Sequence, residues 1–454
     1  MRSLFRNRDF RRLFAGRLIT NVGDSLYFVA ATWLVYDLTG NPAFSGLAGF
    51  LVMAPQALQA FAGPLVDRWD LRRLLVGTQL VQGAVILSLP VVAHLGWLSV
   101  WVVLTVMPLL SLLNQFVYPA QSAALPRIVE REELVGANSL FSLAYQGTEL
   151  VANAAGGILV ALVGAVTLFA IDSVTFAAAA LLFATVYVPA AGAGDETASD
   201  ADESTTGTAT AVADGGADSA GGERPDDGHP DEPEGRPGKS GGSPDEPEGY
   251  LDSLRDGIGF VRGTVLAPIV IGAAMVNFVA SGSTIGVLPA FADGLGGPEA
   301  YGALMAAIAG GMLVGALVAS GLDELPFGWL SIGAFLVSGS LWIVAIAVDW
   351  LPATVVLLAI AVVPIGASNV LLSSIVQSVV PDRLLGRVSG LLGSASTAAV
   401  PAGALLGGVA ASVVDPGIVM IAGGANVLLL AGYWLAHPQL RRMGPAGEVE
   451  TLAA

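Results

Sequence analysis

The chain has 454 residues, 54% of them hydrophobic and only 13% charged, with a net charge of −17 and a mean hydropathy of +0.71. A soluble surface needs more polar residues than this, so the composition excludes a water-soluble globular enzyme and makes the bilayer the solvent. With no cysteine in the chain, disulfides, thiolate chemistry and cysteine-ligated metal are excluded, and His94, His229 and His437 are too scattered to form a ligand cluster.

About 20 apolar residues cross roughly 30 Å of hydrocarbon as a helix. In chain order this rule predicts spans near 14–36, 44–64, 74–94, 98–119, 138–162 and 165–188, then 266–290, 300–320, 329–348, 353–377, 388–411 and 416–436. Lys and Arg stay on the cytoplasmic side when membrane helices insert. Arg2, Arg6, Arg8, Arg11 and Arg12 precede the first span, and Arg68, Arg72 and Arg73 lie between the second and third. Arg127 and Arg131 precede the fifth, Arg383 and Arg387 the eleventh, and Arg441 and Arg442 follow the twelfth. Both termini are therefore expected in the cytoplasm, in a multi-pass protein of the plasma membrane. The apolar run after the first arginines is of full span length and lacks a small-residue cleavage site, so no cleaved signal is expected.

The two sets of six spans are copies. Shifted by 256 positions, Asn21 falls on Asn277, Asp37 on Asp293, Gly40 on Gly296, Pro42 on Pro298, Gly46 on Gly302, Asp67 on Asp323 and Pro108 on Pro364. After six residues drop out, Leu134 meets Leu384, Gly136 meets Gly386 and Ser139 meets Ser389. Two copies of one apolar unit in one chain are the signature of a membrane transporter, and an even number of spans per copy makes the repeats parallel.

Domains are expected at 1–188 (first bundle), 189–249 (linker), 250–440 (second bundle) and 441–454 (tail). The linker holds 16 acidic against three basic residues and contains Pro-Asp-Glu-Pro-Glu-Gly twice, a composition that cannot bury enough apolar surface to offset its entropy and reads as a disordered cytoplasmic tether. Residues 250–262 read as an amphipathic helix leading into the seventh span.

Between the second and third spans stands Gly63-Pro-Leu-Val-Asp67-Arg68-Trp-Asp-Leu-Arg72-Arg73. It resembles the Gly-x-x-x-Asp-Arg-x-x-Arg-Arg signature of the major facilitator superfamily. Leu134-Val-Gly-Ala-Asn138-Ser139 and Pro381-Asp382-Arg383-Leu-Leu-Gly386-Arg387 are similar to loops of the exporter branch that includes the enterobactin exporter and macrolide efflux proteins. Asn21-Val-Gly-Asp24 and Asp172-Ser-Val-Thr-Phe176 look similar to that branch as well. The resemblance implies an all-α, twelve-helix transmembrane fold of two parallel six-helix bundles. It further implies a latch in which Gly63, Asp67, Arg68, Arg72 and Arg73 meet the start of the eleventh span near Arg387. The second copy keeps Asp323 but has Glu324, Gly328 and Trp329 where Arg68, Arg72 and Arg73 stand, so its latch is eroded. Drug-proton antiporters of the superfamily carry Gly-Pro-x-x-Gly-Gly in the fifth span. Here Ala152-Asn153-Ala-Ala-Gly156-Gly157 keeps the glycine pair and lacks Gly-Pro.

A charge inside the membrane persists only where it faces protein or water. Asp24 and Glu149 fall near mid-span, and Arg17 stands two turns before Asp24 on the same helix face, so these three are the proton-coupling candidates. A fixed structural network of Arg17 with Asp24, or of Glu149 with nearby amides, is the alternative. Asp172 reads as interhelical glue or an outer-end cap. The resemblance assigns cavity lining to spans 1, 4, 7 and 10, which makes Asn21, Tyr27, Asn114, Gln115, Tyr118, Asn277, Ser281 and Asn369 candidates; apolar walls with a few amides and hydroxyls suit an amphiphilic organic molecule.

The expected function is secondary export of a hydrophobic or amphiphilic small molecule by alternating access, coupled to protons. The expected partners are that substrate, protons and the bilayer, with no nucleic acid, cofactor or metal, and the protein is expected to be a monomer. No Gly-x-x-x-x-Gly-Lys-Ser/Thr loop supports ATP-driven pumping, and no nucleophile and base support an enzyme. Two alternatives stand: facilitated uptake or lipid translocation by the same fold, and a non-transporting receptor or scaffold that recruits partners through its acidic loop.

Overall fold

The computed structural model describes residues 3–58, 69–189, 264–380 and 382–445, together with 259 and 261. The expected linker, nearly all of the amphipathic lead-in and the end of the tail lie outside the described residues, as do Gly63, Asp67 and Arg68. The first copy contains α1 (Arg8–Thr39), α2 (Pro42–Met53, continued by a 3-10 turn over Ala54–Leu58), α3 (Leu71–His94), α4 (Val100–Ile128), α5 (Leu134–Val163) and α6 (Ala165–Ala184). The second contains α7 (Leu266–Leu295), α8 (Pro298–Val318), α9 (Phe327–Ala347), α10 (Leu351–Val379), α11 (Asp382–Ala411) and α12 (Pro416–Ala436). Each predicted span thus overlaps a helix, the second only as far as Leu58, beyond which its last six residues lie outside the described residues. Among the described residues, nine of these helices are long and apolar enough to cross a membrane.

Local chemistry sets the helix ends. Asn7 caps α1 by accepting from the amides of Asp9 and Phe10, and its own amide donates to the Ile128 carbonyl at 2.7 Å, tying the start of α1 to the end of α4. Gly40 ends α1 at φ +59°, a left-handed conformation that costs glycine little, and Asn41 then caps α2 ahead of Pro42. Exposed indoles mark both ends of the bundle: Trp97, Trp101 and Trp350 at one, Trp69 and Trp329 at the other. Amphipathic rings collect in this way at the two membrane–water interfaces, while exposed Leu80, Leu87, Leu162, Val174 and Leu181 between them face the hydrocarbon.

Within the first bundle α1 and α6 run antiparallel in continuous register. Arg12 donates to the Thr185 carbonyl at 2.7 Å, Gly16 meets the Phe183 ring, Gly23 meets Asp172 and Thr175, and Tyr27 stands 5.9 Å from Phe169 between ring centroids. The repeat is visible in the packing between the bundles. A methyl group placed on Gly408 of α11 would lie 2.8 Å from the Gly46 Cα of α2, and one placed on Gly302 of α8 would lie 2.8 Å from the Gly157 Cα of α5. Gly46 and Gly302 are equivalent positions of the two copies, and both permit backbone-to-backbone approach.

Where the bundles meet is decided by three apolar cores. One core joins both copies at the end remote from the termini, bringing Trp33, Leu34, Ala48 and Leu104 together with Leu288, Tyr301, Leu304 and Trp342. Two others stay within single bundles toward the termini: Phe10, Leu75, Ala124, Phe141 and Phe183 in the first, Leu266, Phe327, Leu371, Leu430 and Trp434 in the second. The described residues are therefore sealed together at one end and divided into separate cores at the other.

At the terminus-bearing end the eroded latch of the second copy has a structural counterpart. The Arg72 guanidinium donates to the Ala184 carbonyl at the exit of α6, whereas at Gly328 the main chain itself packs on the Leu440 and Arg441 carbonyls, and the amides of Phe327 and Gly328 donate to Gly444 and Met443. A side chain at 328 has no room, so the segment after α12 closes this corner in place of an arginine.

Candidate transport site

Asp24 lies halfway along α1, half-buried, and one carboxylate oxygen accepts a hydrogen bond from the Asn114 amide of α4 at 3.4 Å. With Tyr27, Phe28, Val52, Gln56, Ser111, Asn114 and Gln115 it lines a cavity of about 120 Å³. Gln115 in turn donates to the Ser111 carbonyl at 3.0 Å. Arg17 is buried, one of its terminal guanidinium nitrogens meets no hydrogen-bond partner, and the field of Asp24 reaches it without the two closing to an ion pair. Among the described residues the one salt bridge is Arg12 to Asp9, 3.6 Å apart.

The second copy builds a different cavity at the corresponding place. About 410 Å³ is enclosed by α7, α8, α9, α10 and α12, with Phe28 contributed by the first copy. Its walls include Tyr301, Met305, Ile308, Met312, Phe335, Trp342 and Trp434, and its polar groups include Asn277, Thr284, Ser368 and Asn369; among the described residues no Asp, Glu, Lys, Arg or His lines it. Repeat equivalence makes the contrast pointed. Asp24 corresponds to Ala280, Phe28 to Thr284, Val52 to Ile308 and Gln56 to Met312, and each member of these pairs lines the cavity of its own bundle. The first copy has kept a charge and an amide where the second has methyls and a thioether. Around Asn277 helix α7 widens into a π turn, Asn277–Ser281, a departure from α-helical geometry frequent at functional sites.

The candidate residues thus separate into two groups. Asp24, Tyr27, Asn114 and Gln115 converge on the small cavity, and Asn277 and Asn369 on the large one. Asn21 is buried beside Arg17 on α1, and Tyr118 is 58% exposed and lines neither cavity. The side chains of Glu149, Ser281 and Arg387 lie outside the described residues. Arg72 binds the α6 exit, and Arg73 takes part in the α3 cap, its amide donating to Asp70 at 2.7 Å. Gln56, Ser111, Trp342 and Trp434 were not singled out by the sequence. For Gln56 the signal was available, since an amide in the second span falls opposite Met312 of the copy. Asp172, taken for glue or an outer cap, is 1% exposed and packs on Gly23, next to Asp24.

Residues 2–201 match the family described as transmembrane secretion effector. The chain is 24% identical over 433 residues to the uncharacterized MFS-type transporter YvqJ of Bacillus subtilis, covering 94% of this chain and 91% of that one. It is 28% identical over 188 residues to macrolide efflux protein A of Streptococcus pyogenes, an alignment that spans 40% of this chain and 45% of that relative. The fold superposes on a bacterial homologue of the human lysosomal transporter Spinster, inward-facing and unoccupied, with a TM-score of 0.65 at 14% identity, covering 96% of this chain and 98% of the other. These likenesses are all to transporters: the relatives are named as MFS-type transporters and efflux proteins, and the fold is shared with a solved transporter homologue.

Proposed function

We propose that this transporter exports an uncharged or weakly charged hydrophobic or amphiphilic molecule, taken up in the large cavity of the second bundle, in exchange for protons handled by Asp24 in the first. The observation that carries the reading is the contrast between the two equivalent cavities. One is aromatic and aliphatic with a few amides and hydroxyls, the kind of surface on which a drug-sized ligand buries. The other is small, polar and holds a carboxylate. The core shared at one end and divided at the other supports alternating access, the bundles rocking about the Gly46–Gly408 and Gly157–Gly302 contacts. The name of macrolide efflux protein A favours export as the direction, and the lack of any acidic or basic side chain among the described lining residues of the large cavity disfavours a small hydrated ion as cargo.

The test uses the full chain in proteoliposomes with an imposed pH gradient and a panel of neutral and cationic aromatic amphiphiles, chosen by growth sensitivity of a deletion strain. Expected is cargo movement toward the acidic side with matching proton counterflow. Movement that ignores the gradient would leave a facilitator for uptake or lipid translocation instead, and no movement of any amphiphile would remove the cargo class.

A further inference from the structure

Beside Asp24, against Gly23 of α1, the first bundle holds a second carboxylate with no ionic partner among the described residues. Asp172 of α6 is buried against α1. One of its oxygens accepts from the Thr175 hydroxyl at 2.8 Å, and the other meets no donor. Gly23 is what admits it, because any side chain at that position would overlap the Asp172 carboxylate. One turn further along the same face of α1 is Tyr27, whose ring packs on Phe169, one turn before Asp172. The Tyr27 hydroxyl is also buried without a hydrogen-bond partner. Two orphaned polar groups thus face one helix seam, and Tyr27 at the same time lines the small cavity with Asp24.

The remaining neighbours supply no counter-charge. Helix α3, the other element packed closely on α6, presents Gly83 against Phe176 and Ser173 and, a turn away, the buried amides of Gln79 and Gln82; it carries no ionisable residue between Arg73 and His94. On α1 the charged groups nearest Gly23 are Asp24 and, two turns from it, Arg17; Arg8, Asp9, Arg11, Arg12 and Asp37 lie toward the helix ends. The side chain of Glu149 on α5 lies outside the described residues. The Arg17 field reaches Asp24, which leaves Asp172 without a described counter-charge, and a buried carboxylate with an unmet oxygen is costly unless it carries a proton.

We propose that Asp172 is a second proton-holding carboxylate of this transporter and exchanges its proton with Asp24 through the hydroxyl of Tyr27. In the transfer, the Asp24 carboxylic acid gives its proton to the Tyr27 oxygen while the hydroxyl proton of Tyr27 passes to the Asp172 carboxylate. Tyr27 ends neutral, Asp24 ends as the anion and Asp172 as the acid, so that one proton has moved and no electrons have been gained or lost. Asp24 meets the cavity and Asp172 is sealed behind Gly23, an arrangement that lets the protein occlude a proton while its bundles move. The inference rests on proton coupling at Asp24 and deepens it.

The test needs no cargo. Infrared difference spectra of the full chain in lipid nanodiscs, recorded between acid and alkaline buffer, report protonated carboxyl groups directly. The expected result is a buried carboxylic C=O band that disappears in Asp172→Asn. In Tyr27→Phe, which keeps the ring on Phe169, the band remains but exchanges its proton for deuterium about 10²-fold more slowly, the scale set by losing a positioned proton-transfer group. A band that persists in Asp172→Asn and disappears in Asp24→Asn would overturn the proposal and leave coupling at Asp24 standing. A spectrum unchanged in both would overturn both readings. Should Asp172→Asn fail to fold, unchanged exchange in Tyr27→Phe is by itself sufficient to reject the relay.

Discussion

Asp24 keeps its carboxylate in the membrane because α4 offers it the Asn114 amide and α1 the field of Arg17, and because a small cavity gives it access to water. Its replacement by Asn preserves the hydrogen-bonding shape and removes the charge. Asp24→Asn is expected to bind cargo with affinity within a few-fold of the parent, since the large cavity lies in the other bundle, and to lose accumulation against a gradient. Equilibrium binding set beside proteoliposome accumulation checks both halves of the statement. Undiminished accumulation would take Asp24 out of the coupling. The place of this residue was legible before any coordinates, because a lone acid at mid-span has few tolerable environments. The place of Asp172 was not. Its surroundings depend on the register of α1 against α6, and the missing side chain at Gly23, which makes room for it, has no meaning in sequence until the two helices are laid together.

Between elements, the informative residues are those without side chains. Gly46 and Gly302 bring α2 onto α11 and α8 onto α5 at backbone distance, and the same two residues align when one copy is laid on the other. The helices, their order and the duplication could all be read from apolar runs and aligned Asn, Asp, Pro and Gly. The aligned glycines did not by themselves say which helix of the other bundle they would touch. A valine at 302 must displace the Gly157 backbone, and overpacking of this kind costs about 1–3 kcal/mol, a shift of about 5- to 150-fold in a two-state equilibrium. Gly302→Val is therefore expected to open the seal at the end remote from the termini and to slow turnover while leaving the separate cores near the termini intact. The native absence of cysteine makes the measurement clean, with single cysteines introduced near Trp33 and Leu288 and labelled by a water-soluble maleimide. Labelling that does not rise above that in the Gly302 background would show that this contact does not hold the seal.

At the scale of the whole molecule, the apolar core is shared at one end and divided at the other, and this division gives the two bundles a direction in which to swing. Across the shared end the Tyr36 hydroxyl donates to the Asp293 carboxylate at 3.3 Å, one polar contact between copies beside the Trp33–Tyr301 ring pair, whose centroids are 5.6 Å apart. If transport requires this end to open in turn, a short covalent link there must stop it. The pair Tyr36→Cys with Asp293→Cys, joined by a thiol-specific bifunctional reagent with a reducible spacer, is expected to abolish transport and to regain it on reduction. Each single substitution under the same reagent should keep activity close to the unlinked level, because one hydrogen bond at an exposed rim contributes little. Cargo binding from the terminus-bearing side should survive the link, since the described cores are separate there. A linked protein that still transports would mean that cargo passes without parting of the Tyr36–Asp293 seam, and rocking about the glycine contacts would no longer describe the mechanism.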